Sequence, residues 1–520
     1  MSAALDEPFD RLLVHPCTIG GDFGGQGDFM DVALCCVLSR RSGGRPVKMV
    51  MDYGEELMAG NPRHAGVIRV KTGVTRDGHL MSQHMDFVFD SGAYGAFKPM
   101  GLLLGAQKAV GPYRIPHTLQ EERMVYTNKV PCGHMRAPGY PQGVFASESQ
   151  MDVVAEELGM DPAEFRRINL MRAGEESPAG KRLPHVEPER VLDRALRDSR
   201  YHGPKAPRTG RGVAMSQWMP LGGECHVFVT VDGDGGVTVA AAVMDQGSGV
   251  HTVMRQVAAE VLDVEPESVR IETFDTRRVA ADQGLGGSRG TRVYGCAAYE
   301  AAVDVRRVLL ERAGEMMEAP VERLSVSRGS VVRTGSAGRL GYGEIVRALG
   351  SPVSAEGHYA DTTTGPEASV CVQVVEVAVD PETGQVSLRR VTTAHDAGTI
   401  INPLLHQGQI EGGIVMALGY GTMEEMAVED GRITTAHLGD YKIPSARDIP
   451  VLRTAILRSP HGSGPYHSRS IGETPVIPFA AALANAVADA AGVRVTRLPV
   501  TAEKVFAGIH GVRKDGAPES

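Results

Sequence analysis

What this sequence lacks narrows its chemistry. Its seven cysteines (17, 35, 36, 132, 225, 296 and 371) include no CxxC pair, which argues against a zinc ribbon, an iron–sulfur cluster held by this chain, or a disulfide-stapled framework. No apolar run approaches the roughly 20 residues that a membrane span needs. Positive charge is not in excess: 54 Lys and Arg against 63 Asp and Glu leave a net −9, so nothing points to nucleic acid or an anionic membrane surface. The opening MSAALDEPFD has neither a basic stretch nor an apolar one, and no signal peptide is expected. A Walker A loop is missing, and no GxGxxG follows a strand with an acid downstream. A soluble, cytoplasmic chain is the expectation, and 520 residues are too many for one core.

Glycine is what the chain has in abundance, at 63 residues. It collects in loops that each follow a strand-like run: IGGDFGG (Ile19 to Gly25), MRAPGYPQG (Met135 to Gly143), MDQGSGVHT (Met244 to Thr252), LGGSRGT (Leu285 to Thr291) and SIGETP (Ser470 to Pro475). Glycine permits positive φ and lets backbone N–H groups come close to a ligand. Five such loops brought together would form a cradle for a large, polar, phosphate-bearing cofactor.

Three segments share a design. VTRDGHL (Val74 to Leu80), VTVDGDGGVTV (Val229 to Val239) and VAVDPETGQVSL (Val377 to Leu388) alternate around Asp/Gly turns, the pattern of β-hairpins. Each return strand runs into an Asp-x-Gly loop, at Asp90, Asp245 and Asp396. Chance explains such a recurrence in part; the other reading is one strand–loop module used repeatedly. Helices are expected from Asp161-Pro162 toward Leu170, where Asp caps and Pro opens the first turn, and over Thr252 to Leu262, Val293 to Leu310 and Pro478 to Ala491. The Pro- and Gly-rich stretch Tyr201 to Gly212 reads as a domain boundary.

Several local patterns carry competing readings. Gly286-Gly287-Ser288-Arg289-Gly290 fits the GxSxG nucleophile elbow, but VAADQGL before it does not read as the buried strand that motif requires. A serine hydrolase acting through Ser288 is therefore a distant third reading. Cys132-Gly133-His134, His251 and His395 lack a second pair at zinc spacing and read as structural. Glu473 stands in a glycine turn just before an apolar helix, where the helix dipole favours a carboxylate. It is either a simple N-terminal acid or a general base held at the end of a rigid loop.

In order, these segments resemble the molybdenum-binding large subunit of the xanthine dehydrogenase/aldehyde oxidase family of molybdenum hydroxylases. The resemblance runs from about Arg11 to Val505. It is carried by GGDFGG (Gly20 to Gly25), GRPVKMVMDYGEEL (Gly44 to Leu57), GNPRH (Gly60 to His64), Met135 to Leu170, DQGSGVHTVMRQVAAEVL, GGSRGT, HDAGTIINPLLHQGQIEGGI (His395 to Ile414) and IGETPVIPFAAALANAV (Ile471 to Val487).

The resemblance implies an α+β (mixed α/β) chain of two large cofactor-binding domains, residues 1–205 and 206–508, with a disordered tail over 509–520. It implies molybdenum held by a pterin dithiolene with no protein ligand, the pterin bearing a cytosine dinucleotide. Gly21, Phe23, Gly24, Gly25, Gly247, Ser248, Gly249, Gly286, Gly287 and Ser288 would line that cofactor, and Gln409 would position the surrounding loop. Glu473 would be the general base in hydroxylation of an aldehyde or N-heterocycle, with water as the oxygen source. Arg136 would either face the substrate or brace its loop. Iron–sulfur clusters and FAD are expected on partner subunits only.

Four residues depart from the family pattern: Gln26 where Lys is frequent, Ser248 in place of Gln, Ser470 ahead of the glycine of the glutamate motif, and Ala137 where the carbon monoxide-oxidising branch has Cys. By the resemblance, the family's N-terminal portion, with a small α/β domain, is expected ahead of the first of these segments, and a start assigned too late is one expectation for where it lies. A separate polypeptide supplying it is one expectation; a non-catalytic scaffold or remnant subunit is the alternative to the enzyme.

Overall fold

The three hairpins expected around Asp/Gly turns all form, and each begins a unit of the same design. The computed structural model describes residues 1–25, 30–94, 103–278, 282–361 and 368–511. Gln26, Val279 to Ala281 of VAADQGL, and residues 512–520 of the expected tail lie outside the described residues.

Strands β1 (Gly66–Val74) and β2 (Leu80–Gly92) pair antiparallel, and β3 (His117–Tyr126) returns parallel to β2. Helices α1 (Tyr140–Glu157) and α2 (Pro162–Asn169) follow, then strand β4 (Thr209–Trp218). The second hairpin joins β5 (Cys225–Val231) to β6 (Val237–Ala241); helix α3 (Val250–Leu262) crosses to β7 (Val269–Thr273), parallel to β6. Helix α4 (Gly295–Met316) packs beneath β5 and β8 (Val353–Tyr359), and β8 pairs antiparallel with β5. In the third unit β9 (Ser369–Val379) and β10 (Val386–Asp396) form the hairpin, helix α5 (Pro403–Thr422) crosses over, and β11 (Val451–Leu457) lies parallel to β10. Strand β4 closes that sheet against β9, and helix α6 (Phe479–Ala491) packs on both. The architecture is mixed α+β. Strand alternation decides which face is inside: Cys225, Val227, Val229 and Val231 are buried against α4, while His226, Phe228 and Thr230 face outward.

Each hairpin ends in an Asp-x-Gly turn whose glycine is left-handed, with φ of 68° at Gly92, 90° at Gly247 and 62° at Gly398. Only glycine takes that conformation at little cost. Each turn then holds a different arm of one loop cluster. Cys132 N donates to Ser91 O (3.0 Å), Ile19 N to Asp245 O (3.4 Å) and Arg469 N to Ala397 O (3.0 Å). Those three arms lead into Arg136, Phe23 and Glu473.

The stretch expected as a boundary divides differently. Thr209 to Gly212 belong to β4, and the glycines there serve packing: a Cβ on Gly210 would stand 2.1 Å from Ala486 O, and one on Gly212 2.2 Å from Ala482 O. Their absence of side chain lets α6 lie directly on the strand. Helix α6 is almost wholly apolar over its first nine residues because they are enclosed, Phe479 through Val487 all being buried, and only its last turn, with Asp489, reaches solvent. The stretch Thr474–Ala491 is long and apolar enough to cross a membrane by length and composition, and 78% of it is buried inside the protein.

Asp161 caps α2 as expected, its Oδ1 accepting from Ala163 N (2.8 Å) and Glu164 N (3.1 Å). One turn on, the fully buried Arg166 donates from Nε to Glu148 Oε2 (2.9 Å) and from Nη1 to Asp152 Oδ1 (2.6 Å). Glu148 also accepts from Met215 N of β4 at 2.8 Å. This satisfied network locks α1, whose first turn follows the Arg136 loop, to the third sheet. Helices α3 and α4 begin within three residues of their expected starts, and a π turn over Gly290–Tyr294 precedes α4. The last helix, Ala502–His510, takes in Ile509 and His510.

Candidate active site

Four loops from distant parts of the chain meet at Glu473. Its Oε1 accepts from Ala137 N at 2.9 Å, and its Oε2 accepts from Ser288 Oγ at 2.6 Å. Burial pushes the Glu473 carboxyl above the ordinary glutamate range, against the opposing pull of those two donors and of Arg136 and Arg63. A carboxylate shifted toward neutrality and held by two fixed donors is what a general base requires.

The neighbouring backbone is strained. Phe23 (φ 51°), Ala137 (φ 59°) and Ser288 (φ 58°) are all left-handed without being glycine. Such residues cost roughly 1–3 kcal/mol each and persist where the surrounding structure imposes them. Here it does: Phe23 O accepts from Arg136 N at 2.7 Å, Ala137 N goes to Glu473, and Leu221 N holds Gly287 O at 3.1 Å. Gly472 lies close beneath Ser288, since a Cβ there would be 3.1 Å from Ser288 Oγ.

Arg136 braces the loops. The residue is buried; Nε donates to Gly472 O (2.6 Å), and Nη2 donates to Gln409 O (3.0 Å) and Gln409 Oε1 (3.2 Å). These contacts tie the Arg136 side chain to the Gly472 loop and to Gln409. Burial lowers the Arg136 pKa to about 10, and its guanidinium carbon lies 5.6 Å from the centre of the Phe23 ring. Phe23 is 47% exposed, which leaves its ring a face for a ligand. Behind Arg136 stands Arg63, whose Nη2 donates to Arg136 O at 2.9 Å. Arg63 belongs to GNPRH, but nothing in the order of residues marked it as a member of the site.

The glycine loops divide by function. Where a Cβ would stand at Gly20, Gly247, Gly284 and Gly286, nothing lies within 4 Å. The others are tight against protein: a Cβ on Gly24 would be 2.7 Å from His134 O, on Gly21 2.5 Å from Phe23, on Gly249 2.2 Å from Leu405, and on Gly287 2.5 Å from Leu221. Several amides expected to face a ligand are already used. Asp245 Oδ1 accepts from Gly247 N (2.8 Å) and Gly249 N (3.2 Å), Asp22 Oδ2 from Gly24 N (3.0 Å), and Asp22 O from Gly25 N (2.9 Å). The turn-forming aspartates capture these donors because the glycines lie only two to four residues further along the same turn.

Other sequence readings meet different partners from those they require. The Ser288 hydroxyl goes to Glu473, where the hydrolase reading needs an imidazole. His251 Nε2 pairs with Val243 O at 2.8 Å, and His395 is buried between Thr393 Oγ1 (2.8 Å) and Thr474 Oγ1 (3.4 Å). Burial raises the Cys132 thiol to about 11. Ser470 is buried, and its carbonyl accepts from Ser369 Oγ at 2.7 Å, which anchors the glutamate loop.

A half-buried carboxylate at the end of a cradle of glycine loops, assembled from three repeated units, is the kind of site a cofactor-dependent enzyme has. Residues 1–170 and 191–450 each match a family model described as a molybdopterin cofactor-binding domain. The xanthine dehydrogenase molybdenum-binding subunit of Escherichia coli O157:H7 is 32% identical over 532 residues, covering 98% of this chain and 70% of that protein. The 6-hydroxypseudooxynicotine dehydrogenase complex subunit gamma of Paenarthrobacter nicotinovorans is 30% identical, covering 98% and 68%. Among solved structures, quinoline 2-oxidoreductase from Pseudomonas putida 86 superposes with a TM-score of 0.88 at 26% identity, covering 96% of this chain and 69% of that one. The chain belongs to the xanthine dehydrogenase family of molybdenum hydroxylases, as its molybdenum-binding large subunit. It is an enzyme subunit that binds molybdenum–molybdopterin and works within a multisubunit complex.

The residues present fit that cofactor. Open space above four glycines is what a pterin with polar edges needs for close approach, and any side chain there would intrude. The described loops offer backbone and hydroxyl groups around the carboxylate, consistent with a metal held by its own organic ligand.

Proposed function

We propose that this chain hydroxylates an electrophilic carbon, in an aldehyde or beside the nitrogen of an N-heterocycle, with water as the source of oxygen. The observation that carries this reading is Glu473, a half-buried carboxylate raised in pKa and fixed by Ala137 N and Ser288 Oγ at the end of the cradle. When bound, the molybdenum cofactor supplies the two-electron oxidation and a metal-activated oxygen. Glu473 takes up the proton at a carboxylate oxygen, and its raised pKa makes it a better acceptor than an exposed glutamate. Arg136, through Gly472 O, keeps that carboxylate from swinging. Phe23 offers its exposed ring as a wall, and Gly20, Gly247, Gly284 and Gly286 receive the cofactor.

The finer assignments belong to the same proposal. The pterin carries a cytosine dinucleotide, and electrons leave through iron–sulfur clusters and FAD on partner subunits. The complex is cytoplasmic, a reading supported by seven cysteines that all stay free. Residues 1–205 and 206–508 are the two cofactor-binding domains.

Glu473→Gln in the purified complex tests the central claim. Molybdenum and cytidine nucleotide content stay at the parent level, while turnover falls by roughly 10²- to 10⁴-fold, the usual weight of a general base. Unchanged turnover would remove Glu473 from the mechanism. Molybdenum without cytidine nucleotide would refute the dinucleotide form alone.

A further inference from the structure

We propose that the outer face of the β5–β8 strand pair holds a divalent metal ion of the zinc type, ligated by His226, His358 and Glu224. The two histidines are direct partners across the antiparallel ladder. Their rings stack, with centroids 4.3 Å apart and planes 7° from parallel. One possible ligand atom from each of Glu224, His226 and His358 lies within 4.8 Å of the other two.

Two of the three are already spaced as ligands. Glu224 Oε1 and His358 Nε2 are 3.1 Å apart, close to the roughly 3.3 Å edge of a tetrahedron drawn with zinc's bonds of about 2.0–2.1 Å. The third, His226, offers a ligand atom within 4.8 Å of both, and its ring is held from behind. Its Nδ1 faces Glu356 Oε1 at 2.5 Å, which leaves Nε2 to coordinate. A carboxylate on the far nitrogen is the outer partner that metal-ligating histidines use. Two imidazoles, one carboxylate and an open fourth position make an established zinc donor set. Side-chain exposures of 30% at His226, 46% at His358 and 52% at Glu224 leave the ion a path from solvent.

Strand pairing explains why no zinc spacing is visible in the linear sequence. The site lies apart from Glu473 but is tied to its surroundings. Glu224 N donates to Gln283 Oε1 at 3.3 Å, and Leu221 N holds Gly287 O. A bound ion would thus stiffen the entry to β5 beside the Ser288 loop.

The probe is Co²⁺ alone, titrated into the full chain after treatment with chelator and dialysis. One equivalent should bind with the intense visible ligand-field bands of a four- or five-coordinate ion, and Zn²⁺ should displace it. His358→Ala should lose that equivalent, and Glu224→Gln should weaken it at least tenfold, both with parental circular dichroism. Three results would overturn the site: weak octahedral absorption only in the parent, a near-ultraviolet thiolate band placing the ion on cysteine, or an unaltered spectrum and stoichiometry in His226→Ala/His358→Ala. The first two are read on the unmutated chain, so the decision does not depend on any variant folding.

Discussion

Ser288 donates its hydroxyl to Glu473 across 2.6 Å, joining the glycine loop that precedes α4 to the loop that precedes α6. The bond works against burial: burial favours the neutral carboxyl, and the hydroxyl favours the charged one. Catalysis through Glu473 needs the charged form, so activity should rise with pH through a midpoint above the ordinary glutamate range.

Ser288→Ala removes that donor and should move the acid limb of the kcat profile upward by about one pH unit, equivalent to about 1.4 kcal/mol. Turnover at high pH and molybdenum content should change little. A profile that stays in place would mean that Ser288 does not tune the base.

Gly286 separates fold from cradle. Its backbone is not in the left-handed region, and a Cβ there meets nothing within 4 Å. Gly286→Ala should leave thermal stability within about 0.5 kcal/mol, as for an unstrained surface substitution, while lowering cofactor content because the methyl would occupy open space that the proposed cradle gives the cofactor. Gly212→Ala is the opposite case. Its methyl would stand 2.2 Å from Ala482 O, and the forced separation of α6 from β4 should cost about 1–3 kcal/mol or more, read as a lower melting temperature. Equal cofactor content in Gly286→Ala and parent would remove that glycine from the cradle.

Much of this was legible in the residue order, for physical reasons that also mark where legibility stopped. Hairpins at Val74, Val229 and Val377 show because alternation and Asp/Gly turns are local properties. Glu473 shows because a lone acid in a glycine turn is conspicuous. Gly210 and Gly212 misled, since a glycine that opens a turn and one that admits a helix look identical until the helix is in place. The same holds for Gly247 and Gly249, whose amides look available until Asp245 is seen to accept them. Arg63 and the left-handed Ala137 have no local signature at all; their roles come from contacts across the chain. Arg136 could be placed in the site by resemblance, but bracing and substrate contact differ only in where the guanidinium ends.

That difference can be measured. With Nε on Gly472 O and Nη2 on Gln409, Arg136→Lys removes the fork that fixes the base. Misplacement of a catalytic group costs up to roughly 100-fold in rate, so kcat should fall roughly 10- to 100-fold with KM little changed. A raised KM at constant kcat would instead assign Arg136 to the substrate. The acid limb gives a second reading in Arg136→Gln, where losing a nearby cation should raise the Glu473 pKa further.

His395 should make stability fall in acid. Burial lowers its pKa to about 3, from an ordinary value near 6.5. Above pH 6.5 the ring is neutral in folded and unfolded chains alike, and titration contributes nothing. Between 6.5 and about 3 the unfolded chain binds a proton that the folded one refuses, so stability is lost as pH falls, by about 1.4 kcal/mol per pH unit at most. His64 and His406, each lowered to about 4 by burial, act in the same direction. Carboxyls such as Glu473 act oppositely, since their raised pKa favours the folded state at low pH, so the contribution of His395 is best read by difference. His395→Gln keeps a polar side chain between Thr393 and Thr474 but cannot titrate. Denaturant unfolding at a series of pH values should show the variant less stable than the parent at neutral pH, with the gap narrowing as pH drops below 6.5. A constant gap would mean that the folded and unfolded chains bind the His395 proton alike, so that folding does not lower its pKa.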